Sequence, residues 1–105
     1  MTPEERVRAS FEKQAFMGTL GARLASVEAG AVDIELPFDE RLTQQHGFLH
    51  AGAVASVVDS ACGYAALTLM DADVAVLTVE YKINLLEQHV FVLGERRPDL
   101  EVDVR

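Results

Sequence analysis

The chain has few of the residues that staple or punctuate small proteins. Its 105 residues include one cysteine (Cys62), three prolines, no tryptophan and 7% aromatics. A single thiol excludes an internal disulfide framework and a cysteine-rich zinc site. Positive charge is also scarce: nine Lys and Arg stand against 17 Asp and Glu, for a formal net charge of −8. Such a chain repels other polyanions, which argues against nucleic acid as a partner. No long apolar run is present either. The best stretch, Leu42–Met70, is interrupted by Asp59, with Ser56 and Ser60 close by, so no bilayer span and no membrane partner are expected. Met1–Lys13 carries Glu4, Glu5, Arg6, Arg8, Glu12 and Lys13 and lacks the apolar segment of a signal peptide. The expectation is a cytoplasmic protein.

What is present is the composition of a globular domain: 50% apolar and 25% charged residues, well away from disorder. The length suits one domain, residues 1–105, with one modest core. Thr2, Pro3 and Glu5 make an N-cap, a first-turn proline and a capping-box glutamate, which predicts a helix over Thr2–Met17. Its apolar stripe would be Val7, Phe11, Ala15 and Phe16, with Gly18 and Gly21 as stop signals. A weakly patterned strand over Leu20–Val27 and a clearly alternating one over Ala31–Phe38 flank the turn Glu28-Ala29-Gly30, a hairpin signal. Gly52–Met70 reads as a helix apolar around most of its circumference, so it needs cover on several sides, with Cys62 as a core thiol. Val74–Leu86 carries the strongest strand pattern, and His89–Leu93 and Leu100–Val104 are short strand candidates. Together these give an α+β fold: an antiparallel β-sheet wrapped around a long central α-helix.

The chemistry concentrates in Gln44-Gln45-His46-Gly47-Phe48-Leu49-His50-Ala51-Gly52, with Asp59 two helical turns further on. Free amides at a helix N-terminus can hold a developing oxyanion. A glycine there lets a ligand carbonyl approach the backbone. A carboxylate in an apolar helix is costly unless paired, and it can act as a general base or a nucleophile. Asp59 fits a hydrogen-bonded core carboxylate equally well, with Ser56 three residues away as one partner on its own face. His46 also fits a plain loop residue, and His50 an N-cap. His46 and His50 lie in a loop and Asp59 lies well down a helix, which argues against a metal site.

The run His46–Gly52, followed by Asp59, resembles the signature of hotdog-fold acyl-CoA thioesterases of the PaaI-like, phenylacetate-pathway group. Leu77-Thr78-Val79-Glu80-Tyr81-Lys82-Ile83-Asn84-Leu85-Leu86 resembles the strand that follows the central helix in that group, and the likeness spans Phe16–Leu86. It implies a hotdog fold and a homodimer or homotetramer with sites at the dimer interface. The implied substrate is acyl-CoA or aryl-CoA, with no metal and no cofactor beyond the CoA that enters with it. Carried over by position, Asp59 is the general base or nucleophile, and Gly52 or the amide of Ala51 polarises the thioester carbonyl. His50 orients loop and thioester, and Thr78, in the partner subunit's strand, helps place water. Gln44 stands where the group often has Asn near that water, and His46 belongs to the same substrate-binding loop. Arg41 and Lys82 are the cations that could meet CoA phosphates.

The group usually continues beyond Leu86 into further long strands, so the resemblance predicts shortened C-terminal strands in this chain. That shortening keeps a second class open, a non-catalytic acyl-CoA-binding or oligomerisation module with an incomplete sheet. A hotdog hydratase, which also needs a carboxylate and a histidine, fits the flanking sequence less well.

Overall fold

The structure is a computed structural model that describes residues 1–84 and 100–104. Thr2 opens helix α1 (Pro3–Lys13): its Oγ1 accepts the Glu5 N–H at 3.1 Å, and Glu4 and Glu5 sit at the positive helix end. The helix stops at Gln14, whose backbone is extended (φ −78°, ψ 92°), and a short helix α2 (Ala15–Leu20) follows. One continuous helix over Thr2–Met17 is therefore not formed. The break resets the phase of the apolar stripe. Val7 is fully buried and Phe11 packs on the core, whereas Ala15 and Phe16 are exposed and Met17 and Leu20 are buried in their stead. Gly18 lies inside α2, and the stop is Gly21, left-handed at φ 75°.

Strands β1 (Arg23–Glu28) and β2 (Ala31–Leu36) form the expected antiparallel hairpin, with Gly30 at φ 73° in the turn. Val32, Ile34 and Leu36 are 0% exposed, and each such side chain contributes about 1.5–3 kcal/mol by its removal from water. Strand β3 (Leu100–Val104) pairs antiparallel with the other edge of β2, giving the order β1-β2-β3. Its register sets Asp33 opposite Asp103 and Glu35 opposite Glu101. On the β1 side both β2 carboxylates have partners. Ser26 Oγ donates to Asp33 Oδ2 at 2.7 Å, and Arg23 pairs with Glu35 at 3.3 Å.

Helix α3 (Ala51–Leu67) lies across β2 and β3 and buries Ala53, Val57, Ala61, Tyr64 and Ala65 at helical spacing. Among the described residues it is covered on that face rather than all round, and Cys62 is exposed instead of being a core thiol. Two side chains fix its C-terminal end. Thr68 Oγ1 accepts the Gly30 N–H at 2.8 Å and donates to the Ala65 carbonyl at 2.6 Å, tying the hairpin to the helix. Arg6 donates to the Met70 and Asp71 carbonyls at 3.1 and 3.3 Å, tying α1 to the same end.

The largest departure concerns Val74–Leu86. Within its described part, residues 74–84, no strand forms. A strand exists only with a ladder partner, and among the described residues this segment pairs with neither outer strand, β1 or β3. The segment instead runs back along α3, with Thr78 beside Asp59 and Val76 beside Gly63. Its apolar side chains stay largely in solvent, Leu77 at 87% and Val79 at 93% exposure. The expected strand His89–Leu93 lies outside the described residues, as do Leu85 and Leu86.

Candidate active site

The loop before α3 is closed by its own groups. Gln44 Oε1 accepts the backbone N–H of His46 at 2.6 Å and of Phe48 at 3.3 Å. The Gln44 N–H donates to the Phe48 carbonyl, and Gly47, left-handed at φ 85°, donates back to the Gln44 carbonyl. Thr43 bridges Leu49, and the His50 N–H reaches the Leu42 carbonyl at 2.8 Å. This clamp delivers His50 to the N-cap position of α3.

His50 Nδ1 accepts the Gly52 N–H at 2.7 Å. The neutral ring therefore holds its proton on Nε2. The geometry explains the glycine: a Cβ at position 52 would stand 2.9 Å from His50 Nδ1 and 3.2 Å from Cε1. Gly52 is needed for the imidazole cap as well as for any ligand. Its amide, one of the two expected to polarise a carbonyl, is spent on His50, which leaves the Ala51 N–H as the first-turn donor without a partner among the described residues. Ala53 and Val54 donate to the His50 carbonyl.

Asp59 stands two turns further along the same face. It is half-buried rather than sunk in the core. Its partner is not Ser56, which donates instead to the Gly52 carbonyl at 2.7 Å, a back-bond within the helix. Thr78 Oγ1 donates to Asp59 Oδ1 at 2.7 Å, so Thr78 meets the carboxylate within one chain. Asp59 Oδ2 has no partner among the described residues. The pair lies on the wall of a cleft of about 760 Å³ between α1, α3 and residues 72–78.

The structure thus divides the residues singled out by sequence. Asp59 and Thr78 share the cleft. Gln44, His46, His50, Ala51 and Gly52 form the loop and helix end, which do not line it. Arg41 is exposed and its guanidinium is held by Asp39, at 2.7 Å from Nη2 to Oδ2 and 3.1 Å from Nε, with the Arg41 N–H also on Asp39 Oδ1. The side-chain bond from Arg41, then the backbone bond, holds the Asp39 carboxyl at about 2 against an ordinary 3.8. Lys82 is exposed and lies off the cleft. Among the described residues no cluster of three metal-ligating side chains forms, and no helix is long and apolar enough to cross a membrane.

Sequence reasoning missed a polar bridge between α1 and α3. Gln14 Nε2 donates to Tyr64 Oη at 2.7 Å, Ser10 Oγ lies 3.2 Å from the same oxygen, and Ser60 Oγ donates to Gln14 Oε1 at 3.4 Å. Tyr64 reads as plain core from its spacing. The available signal was Gln14, a polar residue set between Phe11 and Ala15 in an apolar stripe.

A family profile described as the thioesterase superfamily matches residues 46–90, which include the His50–Gly52 helix end, Asp59 and Thr78. The likeness to that superfamily is confined to residues 46–90 in this comparison. A thioesterase family protein of Silicibacter pomeroyi has a similar structure, with TM-score 0.79 and 55% identity over 81% of this chain and 62% of its own. The E. coli PaaI protein from the phenylacetic acid degradation operon, at 22% identity and TM-score 0.59 over 63% of this chain and 49% of its own, shares the fold. The architecture is accordingly the α+β hotdog arrangement of these thioesterases. Among curated proteins, one of Saccharolobus solfataricus named as an esterase is 40% identical over 68 residues, 65% of this chain and 48% of its own length. A second esterase-named protein of that organism is 33% identical over 83% of this chain and 57% of its own length. The chain spans about half the length of these curated relatives.

Proposed function

We propose that the chain hydrolyses acyl- or aryl-CoA thioesters, with Asp59 as general base or nucleophile. The observation that carries this reading is the Asp59–Thr78 pair. One carboxylate oxygen is oriented by a 2.7 Å hydrogen bond, the other has no partner among the described residues, and the residue lines the cleft within the segment that matches the thioesterase profile. As general base, the open oxygen takes a proton from water while the water oxygen adds to the thioester carbonyl. The resulting oxyanion needs a donor. The carbon–sulfur bond then breaks, and CoA leaves as the thiolate. CoA enters as part of the substrate and no further cofactor is called for. A cytoplasmic site of action goes with that substrate.

The oxyanion donor cannot come from the same helix as the base. Gly52 and Asp59 are seven residues apart, about 10 Å along the axis at 1.5 Å per residue, too far for one carbonyl carbon to meet both. We therefore infer a homodimer or homotetramer in which the helix N-terminus of one copy serves Asp59 of another, through the Ala51 amide or through Gly52 once His50 releases it.

The test is thiol release from a panel of acyl- and aryl-CoA esters, run beside a mass measurement of the oligomer. Release that disappears in a folded Asp59→Asn variant is the expected result; undiminished release in that variant removes the assigned role. A second reading, a non-catalytic acyl-CoA-binding module, draws on the occupied Gly52 amide. Binding of CoA esters without thiol release would favour it.

A further inference from the structure

Gly63 has no conformational or steric reason to be glycine. It sits inside α3 with no left-handed φ, where glycine weakens a helix relative to alanine. A Cβ built there would meet only Val76 Cγ1, at 3.7 Å, an ordinary contact. Gly52 differs, since its Cβ would strike the His50 ring. What the missing side chain at position 63 provides is open space, one turn beyond Asp59 on the same face of the helix. That space belongs to the Asp59–Thr78 cleft, whose walls here are Leu67, Val74, Val76 and Leu77.

Lys13 is exposed at the end of α1, and the other polar groups deeper on these walls are already committed. Tyr64 Oη is held by Gln14 and Ser10, Ser60 by Gln14, and the Arg6 guanidinium by two carbonyls at the end of α3. A ligand group passing them gains no new hydrogen bond without breaking an existing one, so an apolar group fits best. The end carrying chemistry is Asp59 and Thr78.

We propose that the cleft between α1, α3 and residues 72–78 receives the apolar tail of the acyl group, and that Gly63 sets how long or broad a tail is admitted. This rests on the thioesterase reading of Asp59, and the experiment separates the two. Binding of non-hydrolysable S-alkyl-CoA thioethers, from ethyl to dodecyl, is measured by calorimetry on the full chain, its Gly63→Ala and its Gly63→Val variants. Thiol release from the matching acyl-CoA series is measured alongside.

The wild-type chain is expected to bind the longer thioethers more tightly. Gly63→Val is expected to keep the affinity for ethyl-CoA and lose about tenfold or more for octyl-CoA, with Gly63→Ala in between and melting no lower than wild type. A length profile cut by Gly63→Val with no thiol release from any ester supports the pocket and removes the hydrolase reading. Thiol release with a length profile unchanged in the variants overturns the pocket and leaves the hydrolase reading. Failure of every thioether to bind the wild-type chain also overturns the pocket. If Gly63→Val does not fold, Gly63→Ala decides: a smaller shift in the same direction supports the assignment, and none overturns it.

Discussion

The two chemical stations on helix α3 are built in opposite ways. At the N-terminal end, the groups that could act on a ligand are turned inward: the Gln44 carboxamide oxygen closes its own loop, and His50 Nδ1 occupies the Gly52 amide. Two turns on, Asp59 receives a single hydrogen bond, from Thr78, and keeps an oxygen toward the cleft. The first station is rigid and self-satisfied; the second is oriented but open. Residue type and spacing identify both equally well. Only the hydrogen-bond partners show that Asp59 keeps one oxygen without a described partner, while the Gly52 amide must first exchange a bond and the Ala51 amide need not.

The comparison breaks most sharply at the open station. Asp59→Asn keeps the size and the Thr78 contact but removes the base, and thiol release should fall by about 10³-fold, within the range for loss of a general base. The melting temperature should stay near wild type, because the group is half-buried and faces the cleft. A large fall in melting temperature instead would make Asp59 a structural carboxylate. At the closed station, Gly52→Ala forces the His50 ring off its cap and crowds any carbonyl near the helix end. The backbone N–H remains, but a carbonyl that the new Cβ holds away from it loses that donor in effect, which costs about 10²-fold, so kcat should fall by that order. Stability should change little, because the lost cap, about 1 kcal/mol, is offset by the better helix propensity of alanine, also about 1 kcal/mol. A loss in melting temperature with kcat intact would make Gly52 purely structural. Thr78→Val leaves Asp59 without its orienting bond. A hydrogen bond to a charged group is worth about 1.5–3 kcal/mol net, so kcat should drop by at least about tenfold. An unchanged kcat would mean that Thr78 only covers the carboxylate.

Much of this was legible before any coordinates. The Thr2 cap, the β1–β2 turn at Gly30 and the buried Val32, Ile34 and Leu36 follow from local rules: a hydroxyl at a helix start, a glycine at a positive φ, a period of two. The motif around His50, Gly52 and Asp59 was legible as residue type and spacing. Partnership was not. Ser56 and Thr78 are both hydroxyl residues within plausible reach of Asp59, and the helix gives Ser56 a nearer acceptor in the Gly52 carbonyl. The stretch Val74–Asn84 was misread for a related reason. Alternation records which faces of an extended segment match a core and a solvent, but a strand forms only where the segment docks on a ladder, and this one docks on α3 instead. The break at Gln14 carried no local signal, and the partner of its side chain, Tyr64 Oη, lies fifty positions away.

The smallest expected effect lies beside both stations, at Asp39 and Arg41. Here the guanidinium that might meet a CoA phosphate is instead held by a carboxylate on the same exposed turn. The Arg41 side-chain bond, then the backbone bond, depresses the Asp39 carboxyl from 3.8 to about 2. A depressed acid stabilises the folded turn above its ordinary range, and that contribution fades as pH falls from 3.8 through about 2. Arg41 is exposed and Asp39 partly so, and salt should weaken the pair. A carbon-detected NMR titration of the Asp39 carboxyl should place its midpoint near 2, moving up toward 3.8 in Arg41→Ala. A midpoint already at the ordinary value would dissolve the pair. Asp39→Asn then asks what Arg41 does once free. A lower KM for CoA esters at unchanged kcat would show Arg41 reaching the phosphates, whereas unchanged KM and kcat would leave it a surface charge and return the search for the CoA-binding cations to Lys82.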